Sequence, residues 1–281
     1  MYRKLSAPVA VQWEVTPGCN HLCTHCYNFW REGDPLPATP PDFDHLYTTA
    51  TDEIIRNKVF MVVITGGEPL MVLDKITPHI QRLTENGIAV SMNTNLTLLT
   101  HKKAELLKKV GIYAILTSMP SGVAETCDQI THTKGSLKRI VRGITIAKEH
   151  GFSLFVNMVV SKLNFGEIEA TAELVASIGV KNFAATRASN PMAGSGFTDS
   201  MLGLDEFRQM ISRLTAVGKR LSLHTDSLEA NPPCSFGEGS SFEVHRFCGA
   251  GKNTCTIGHD GQVRPCNRLP IGYGHIYDGL D

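Results

Sequence analysis

One residue punctuates this chain at a fixed place in its pattern. Gly87, Gly111, Gly151, Gly179 and Gly218 each follow a segment of helical periodicity and precede an apolar segment that reads as a strand. Glycine adopts the left-handed backbone that ends a helix without a Cβ penalty, so each one marks a helix stop and a strand start. Strands are expected at 88–92, 112–117, 152–160, 180–186 and 220–224, with two earlier ones at 10–16 and 59–65. The helical segments carry apolar faces: Leu137, Ile140, Val141 and Ile144 behind Ser136 as N-cap, and Leu204, Phe207, Ile211 and Leu214. Another helix is expected from near Asp42 to near Lys58. Residues 59–64 are apolar at every position, as in a strand covered on both faces. Alternation of this kind argues for a parallel sheet with crossover helices. Six strand–helix units make either a doubly wound sheet or an incomplete barrel, and periodicity does not choose between them. The alternation stops near Ala230-Asn231-Pro232-Pro233, where cysteines become dense, so the expected units are 1–229 and 230–281.

The 281 residues are 42% apolar and 19% charged, the composition of a folded chain with a substantial core. Lys+Arg and Asp+Glu are 27 each, so no net charge draws the whole chain to nucleic acid. The longest apolar run, 59–64, falls far short of the ~18 residues needed to cross a bilayer. The basic start Met1–Lys4 is followed by an apolar stretch, 7–11, too short for a signal peptide. A cytoplasmic protein without nucleic-acid or membrane partners is therefore expected. In that reducing compartment eight cysteines read as metal ligands or catalytic thiols rather than disulfides.

Cys19, Cys23 and Cys26 are spaced C-x3-C-x2-C directly after the first strand. Three thiolates on so short a loop grip a metal centre at little cost in chain entropy. Three ligands leave one position open for substrate, whereas a structural zinc site takes four. The zinc alternative would use His21 or His25 as the fourth ligand.

The loop, with Tyr27-Asn28 after it, resembles the cluster-binding loop of radical S-adenosylmethionine enzymes. The resemblance implies a 4Fe–4S cluster on Cys19, Cys23 and Cys26, with S-adenosylmethionine chelating the fourth iron. It implies a partial barrel of six strand–helix units, a TIM-like (β/α)6, which agrees with the count above. His25, before the third cysteine, would lie near the adenine. Gly66-Gly67-Glu68-Pro69 resembles the element that meets the cofactor's ammonium; such a cation seeks strand-end carbonyls and a carboxylate. Asn93-Thr94-Asn95 matches the family's element near the ribose, with Leu96 where the family has glycine. Ser118 matches a serine that reaches the ribose or the carboxylate. Cys127 stands where the family commonly has histidine; it is expected to be a packed apolar residue, with a substrate-facing thiol as the alternative. Asn157, Ser161 and Arg187 fall at strand ends of the kind that line barrel active sites. Asp128, Glu125, Tyr27 and Tyr113 are conceivable proton carriers.

Residues 256–263 read as a hairpin turning on Asp260-Gly261. Cys248-x12-Gly261-x4-Cys266, continued through Gly274-His275-Ile276, resembles the opening of the SPASM or twitch extension, which carries auxiliary iron–sulfur clusters. The resemblance implies Cys248, Cys255 and Cys266 as ligands of an auxiliary cluster. A full extension continues with further cysteines, so the sequence is a truncated product, or Cys234 is the fourth ligand, or one iron stays open. A small zinc hairpin is the alternative.

The expected activity is reductive cleavage of S-adenosylmethionine to a 5′-deoxyadenosyl radical that abstracts hydrogen from a C–H bond. SPASM-bearing enzymes often modify peptides, so a peptide or protein is the first expected substrate and a small metabolite or cofactor precursor the second. A non-catalytic iron–sulfur or zinc protein is the reading from another class. Flavodoxin or ferredoxin would donate electrons. The short stretch before the first strand leaves leader-peptide binding to a separate protein.

Overall fold

The computed structural model describes residues 5–31, 42–189, 196–237 and 246–280. Its parallel strands are β1 (Ala10–Glu14), β2 (Met61–Thr65), β3 (Ala89–Thr94), β4 (Ala114–Ser118), β5 (Ser153–Val160), β6 (Asn182–Arg187) and β7 (His224–Asp226). The helices between them are α1 (Phe43–Arg56), α2 (Leu73–Glu85), α3 (His101–Lys109), α4 (Ala124–Thr131), α5 (Ser136–Glu149), α6 (Ile168–Ser177) and α7 (Leu204–Leu221). β1 to β7 pair in chain order, each parallel to the next. The result is an α/β fold with an open, mostly parallel sheet, the arrangement of a partial TIM-like barrel.

On the other edge of β1 the sheet continues. β8 (Thr254–Ile257) runs parallel to β1, and β9 (Gln262–Arg264) and β10 (Gly274–His275) follow as antiparallel neighbours. The hairpin turns at Asp260-Gly261: Gly261 has φ +81°, and the Gly258 N–H donates to the Gln262 carbonyl at 2.9 Å. The C-terminal strands thus extend the barrel's own sheet.

Strand alternation sorts the side chains. Val11 and Trp13 of β1, both fully buried, pack with the outer helices, while Gln12 points the other way, into the barrel. Trp13 meets Tyr47 of α1 edge-on at 5.5 Å, and the Tyr47 hydroxyl donates to the Val15 carbonyl. Burial on this scale contributes about 1.5–3 kcal/mol per large apolar side chain. Leu83, Ile80 and Ile76 of α2, and Ile140, Ile144 and Ala147 of α5, close the same layer.

Four of the five punctuating glycines have the left-handed backbone, with φ from +69° to +88° at Gly87, Gly111, Gly151 and Gly179. Gly218 differs. It lies inside α7, where a Cβ would come within 2.6 Å of the Thr225 side chain, so it is small to let α7 approach β7. The left-handed cap there is Ser222, at φ +53°, which moves the strand expected at 220–224 to His224–Asp226. Ser136 is not the N-cap of α5, which is Gly135; its amide and hydroxyl both donate to Asp128. Leu204, expected in the apolar face of α7, is 51% exposed at the helix start.

Candidate functional site

The cysteine loop is tied down from three sides. At the end of α4, Leu22 and Thr24 amides donate to the Thr131 and Ile130 carbonyls at 3.1 and 3.0 Å. Beyond β3, Asn20 donates to Thr97 Oγ1 at 2.8 Å and accepts from Asn95 Nδ2 at 2.9 Å. From β2, the Gly67 and Glu68 amides donate to the Thr16 and Gly18 carbonyls at 2.6 and 2.8 Å. A Cβ on Gly66 would lie 2.5 Å from the Thr16 oxygen, and one on Gly67 1.9 Å from the Gly18 oxygen. The two glycines therefore serve the close approach of the β2 end to the cysteine loop itself.

Glu68 is fully buried and braces the same corner. Its Oε1 accepts from the Leu70 amide at 3.0 Å and from Thr94 Oγ1 at 2.5 Å, and its Oε2 from the Asn95 amide at 2.8 Å. Burial pushes its pKa up against these bonds. Three of roughly four acceptor sites are thus committed to the fold. Leu96 stands in the glycine position of this element and keeps the glycine backbone, with φ +59°.

These segments frame a cavity of about 890 Å³ at the C-terminal ends of the strands. Cys19, Cys23, Cys26, His25, Gly66, Gly67, Glu68, Asn93, Asn95 and Ser118 all line it, as do Asn157 and Arg187. Pro69 does not; it is buried in the turn behind Glu68. Ser161 does not either, because its amide and hydroxyl close a turn with Asn164 and Leu163. Of the four proton-carrier candidates only Tyr27 faces the cavity. Asp128 caps α5, Glu125 is exposed, and Tyr113 is exposed near the opposite strand ends, beside Met61. Cys127 is fully buried in the core, its sulfur 3.1 Å from the Ser136 hydroxyl oxygen.

From the far end of the chain, Cys248 and Cys266 line the same cavity. Cys255 and Cys234 do not join them. Cys255 sits opposite Val11 on β8 and packs against the core with Ile257, while its neighbour Thr254 faces the cavity. Burial pushes its thiol up to about 12. Cys234 is exposed. Period-two alternation along β8 separates Cys255 from the two cysteines with which sequence spacing had grouped it.

Burial raises all three thiols of the N-terminal trio, and at Cys23 the negative charge of Cys26 and Cys19 adds to it. Such thiols ionise readily only beside a positive centre, and a coordinating metal deprotonates a thiol outright. The Cys19 sulfur already accepts the His21 amide at 3.5 Å, and Arg31, anchored on the His21 carbonyl at 2.5 Å, lies beside the trio. His25 and His21 are pushed down to about 4, chiefly by burial, and His21 Nε2 is buried without a hydrogen-bond partner among the described residues. Neutral imidazoles, amide donors and buried thiols suit an anionic iron–sulfur cube. Among the described residues no three or more His, Cys, Asp or Glu side chains are grouped closely enough to hold a single metal ion.

A model of the radical SAM superfamily matches residues 13–175, which carry this loop and the strand ends facing it. The chain belongs to the radical SAM superfamily. It is therefore an enzyme of radical chemistry. An AdoMet-dependent heme synthase of Methanosarcina barkeri is 26% identical over 98% of this chain and 81% of its own. The mycofactocin maturase MftC of Mycobacterium tuberculosis is 28% identical over 94% of this chain and 66% of its own. Among solved structures, Streptococcus suis SuiB has a TM-score of 0.77 at 18% identity, covering 98% of this chain and 64% of SuiB. The radical SAM chain thus spans about two thirds of the SuiB and MftC lengths and more of the heme synthase. No helix among the described residues is long and apolar enough to cross a membrane.

Sequence reasoning did not find Asn20, Asn28 and Arg31. Asn28 donates to the Gly66 carbonyl at 2.9 Å, so Asn20 and Asn28 fix the loop through partners distant in sequence, while Arg31 closes it on the His21 carbonyl. Their position within or just after the cysteine motif was the only available signal.

Proposed function

We propose that this enzyme binds a 4Fe–4S cluster on Cys19, Cys23 and Cys26 and S-adenosylmethionine beside it, and acts on a peptide or protein substrate in the maturation of a ribosomally made peptide. Five cysteines from opposite ends of the chain facing one cavity is the observation that carries this reading. A 4Fe–4S cluster held by Cys19, Cys23 and Cys26 would supply the electron for reductive cleavage of S-adenosylmethionine, the radical chemistry that removes hydrogen from a substrate C–H bond. The protein's part is placement. The strand-end carbonyls of Gly66 and Gly67 and the remaining acceptor capacity of Glu68 receive the cofactor ammonium, with Pro69 ending the strand. His25 lies toward the adenine, Asn93 and Asn95 toward the ribose, and Ser118 toward the ribose or carboxylate. Thr65 and Leu116, buried or half-buried in the wall, help exclude water.

Residues 230–281 form the auxiliary unit in this reading, with Cys248 and Cys266 holding a second iron–sulfur cluster. Cys255 and Cys234 would have to turn toward the cavity to join them. The reaction belongs in the cytoplasm, with flavodoxin or ferredoxin as electron donor and a separate protein binding any leader peptide. The peptide reading is supported by the likeness to MftC and to the subtilosin biosynthesis protein AlbA of Bacillus subtilis, 27% identical over 96% of this chain. The heme synthase likeness supports a second reading, in which the cavity takes a tetrapyrrole.

The test is anaerobic reconstitution with iron, sulfide, dithionite and S-adenosylmethionine. About four irons per chain are expected on the N-terminal trio alone and about eight with the auxiliary site. 5′-Deoxyadenosine should rise when a short precursor peptide, sought among the genes neighbouring this one, is added. Cys19→Ser, Cys23→Ser or Cys26→Ser should each lose that cluster and all cleavage. Stimulation by an iron porphyrin instead of peptide selects the second reading. An intact cluster that never yields 5′-deoxyadenosine removes the enzymatic reading.

A further inference from the structure

Immediately after Cys26 the chain passes through Tyr27, Phe29 and Trp30, and each is gripped by the C-terminal hairpin. Asn267 Nδ2 donates to the Tyr27 hydroxyl at 2.8 Å, and the Arg268 guanidinium lies over the Tyr27 ring at 5.5 Å. The Arg264 guanidinium lies over Phe29 at 4.8 Å and over Trp30 at 5.5 Å. Trp30 also packs on His259 at 4.7 Å. Arg264 is itself held by an ion pair with Glu14 on β1, and both are almost completely buried.

This pair is poorly explained as a source of stability. Glu14 Oε1 and the Nε and Nη1 of Arg264 have no hydrogen-bond partner among the described residues. Buried pairs of this kind gain little over well-packed apolar side chains. What the pair does is fix a guanidinium, at the end of β9, against the rings that follow Cys26. In sequence the contacting residues flank both cysteines: Arg264 and Asn267 bracket Cys266, and Tyr27 adjoins Cys26.

We propose that Arg264 is a positioning residue for the N-terminal cysteine loop, through which the C-terminal hairpin sets Cys26 against the cavity. The inference rests on the reading that Cys19, Cys23 and Cys26 hold a cluster, but does not require metal on Cys248 or Cys266. Outer partners of metal ligands typically change metal affinity or activity about 10–100-fold when removed.

The test uses the full chain with Cys248→Ser and Cys266→Ser, reconstituted anaerobically so that only the N-terminal site can be loaded. Arg264→Met, Arg264→Lys and Asn267→Ala are compared with this parent in three measurements: thermal melting, the rate at which a chelator strips iron, and the EPR envelope of the reduced cluster with and without S-adenosylmethionine. Arg264→Met should release iron about tenfold faster and shift the envelope obtained with S-adenosylmethionine. Arg264→Lys should recover part of both, because it keeps the cation over the rings. Asn267→Ala leaves the buried ion pair intact and should show a smaller shift at parental melting temperature, which separates positioning from folding. A loaded parent whose three variants match it in stripping rate and spectrum overturns the inference alone. A parent that takes up no iron overturns the cluster reading together with it.

Discussion

Two residues at the site carry opposing physical demands, and magnitudes decide between them. Leu96 holds a left-handed backbone at φ +59°, which costs a non-glycine residue on the order of 1–2 kcal/mol. Its side chain is fully buried, and α5 approaches so closely that a Cβ on Gly143 would lie 2.2 Å from the Leu96 oxygen. Deleting a buried leucine side chain costs about 2–5 kcal/mol. Leu96→Gly should therefore destabilise by roughly 1–3 kcal/mol in urea despite restoring the family's glycine. A gain in stability would show that the backbone term dominates. Gly67 poses the simpler case. A methyl group 1.9 Å from the Gly18 oxygen has no room, so Gly67→Ala should displace the cysteine loop and abolish cluster uptake, read as iron per chain.

At the level of elements, periodicity made most of the fold legible. The glycines after α2, α3, α5 and α6 were readable because a helix end has one backbone solution and glycine supplies it cheaply. Gly218 misled for a physical reason. It is small because α7 lies against Thr225, and packing leaves the same mark in a sequence as a cap does. The real cap at Ser222 pays the left-handed strain, so Ser222→Gly should stabilise by about 0.5–1 kcal/mol, measured as a shift in denaturation midpoint. That the cysteine trio and the strand-end motifs face one cavity was legible because each is a short run of neighbouring residues at a strand end. Cys255 was not, because spacing counts residues and not faces, and only the pairing of Cys255 with Val11 shows which side of β8 is turned inward. The grip on Tyr27, Phe29 and Trp30 was equally invisible, since its partners come from the other end of the chain.

Over the whole molecule, the Glu14–Arg264 pair joins the first and ninth strands. Burial, opposed by Arg264, pushes Glu14 up from its ordinary value near 4.5. Just above that ordinary value the folded state still holds a proton that the unfolded chain has released, so stability should fall as pH rises until Glu14 ionises in the fold and the pair with Arg264 is fully charged. Glu14→Gln should flatten that slope in urea titrations of the metal-free protein at pH 5, 6.5 and 8; an unchanged slope would assign it to other groups. The pair also spans 250 positions of sequence. At about 5–20 residues per second, a ribosome needs roughly 12–50 s to make the second partner after the first. Throughout that interval the nascent first strand has nothing to pair with along its β8 side, and the thiol loop beside it waits without its clamp. Ribosomes stalled before and after residue 264 should accordingly display nascent chains that differ in how fast a maleimide reaches Cys26.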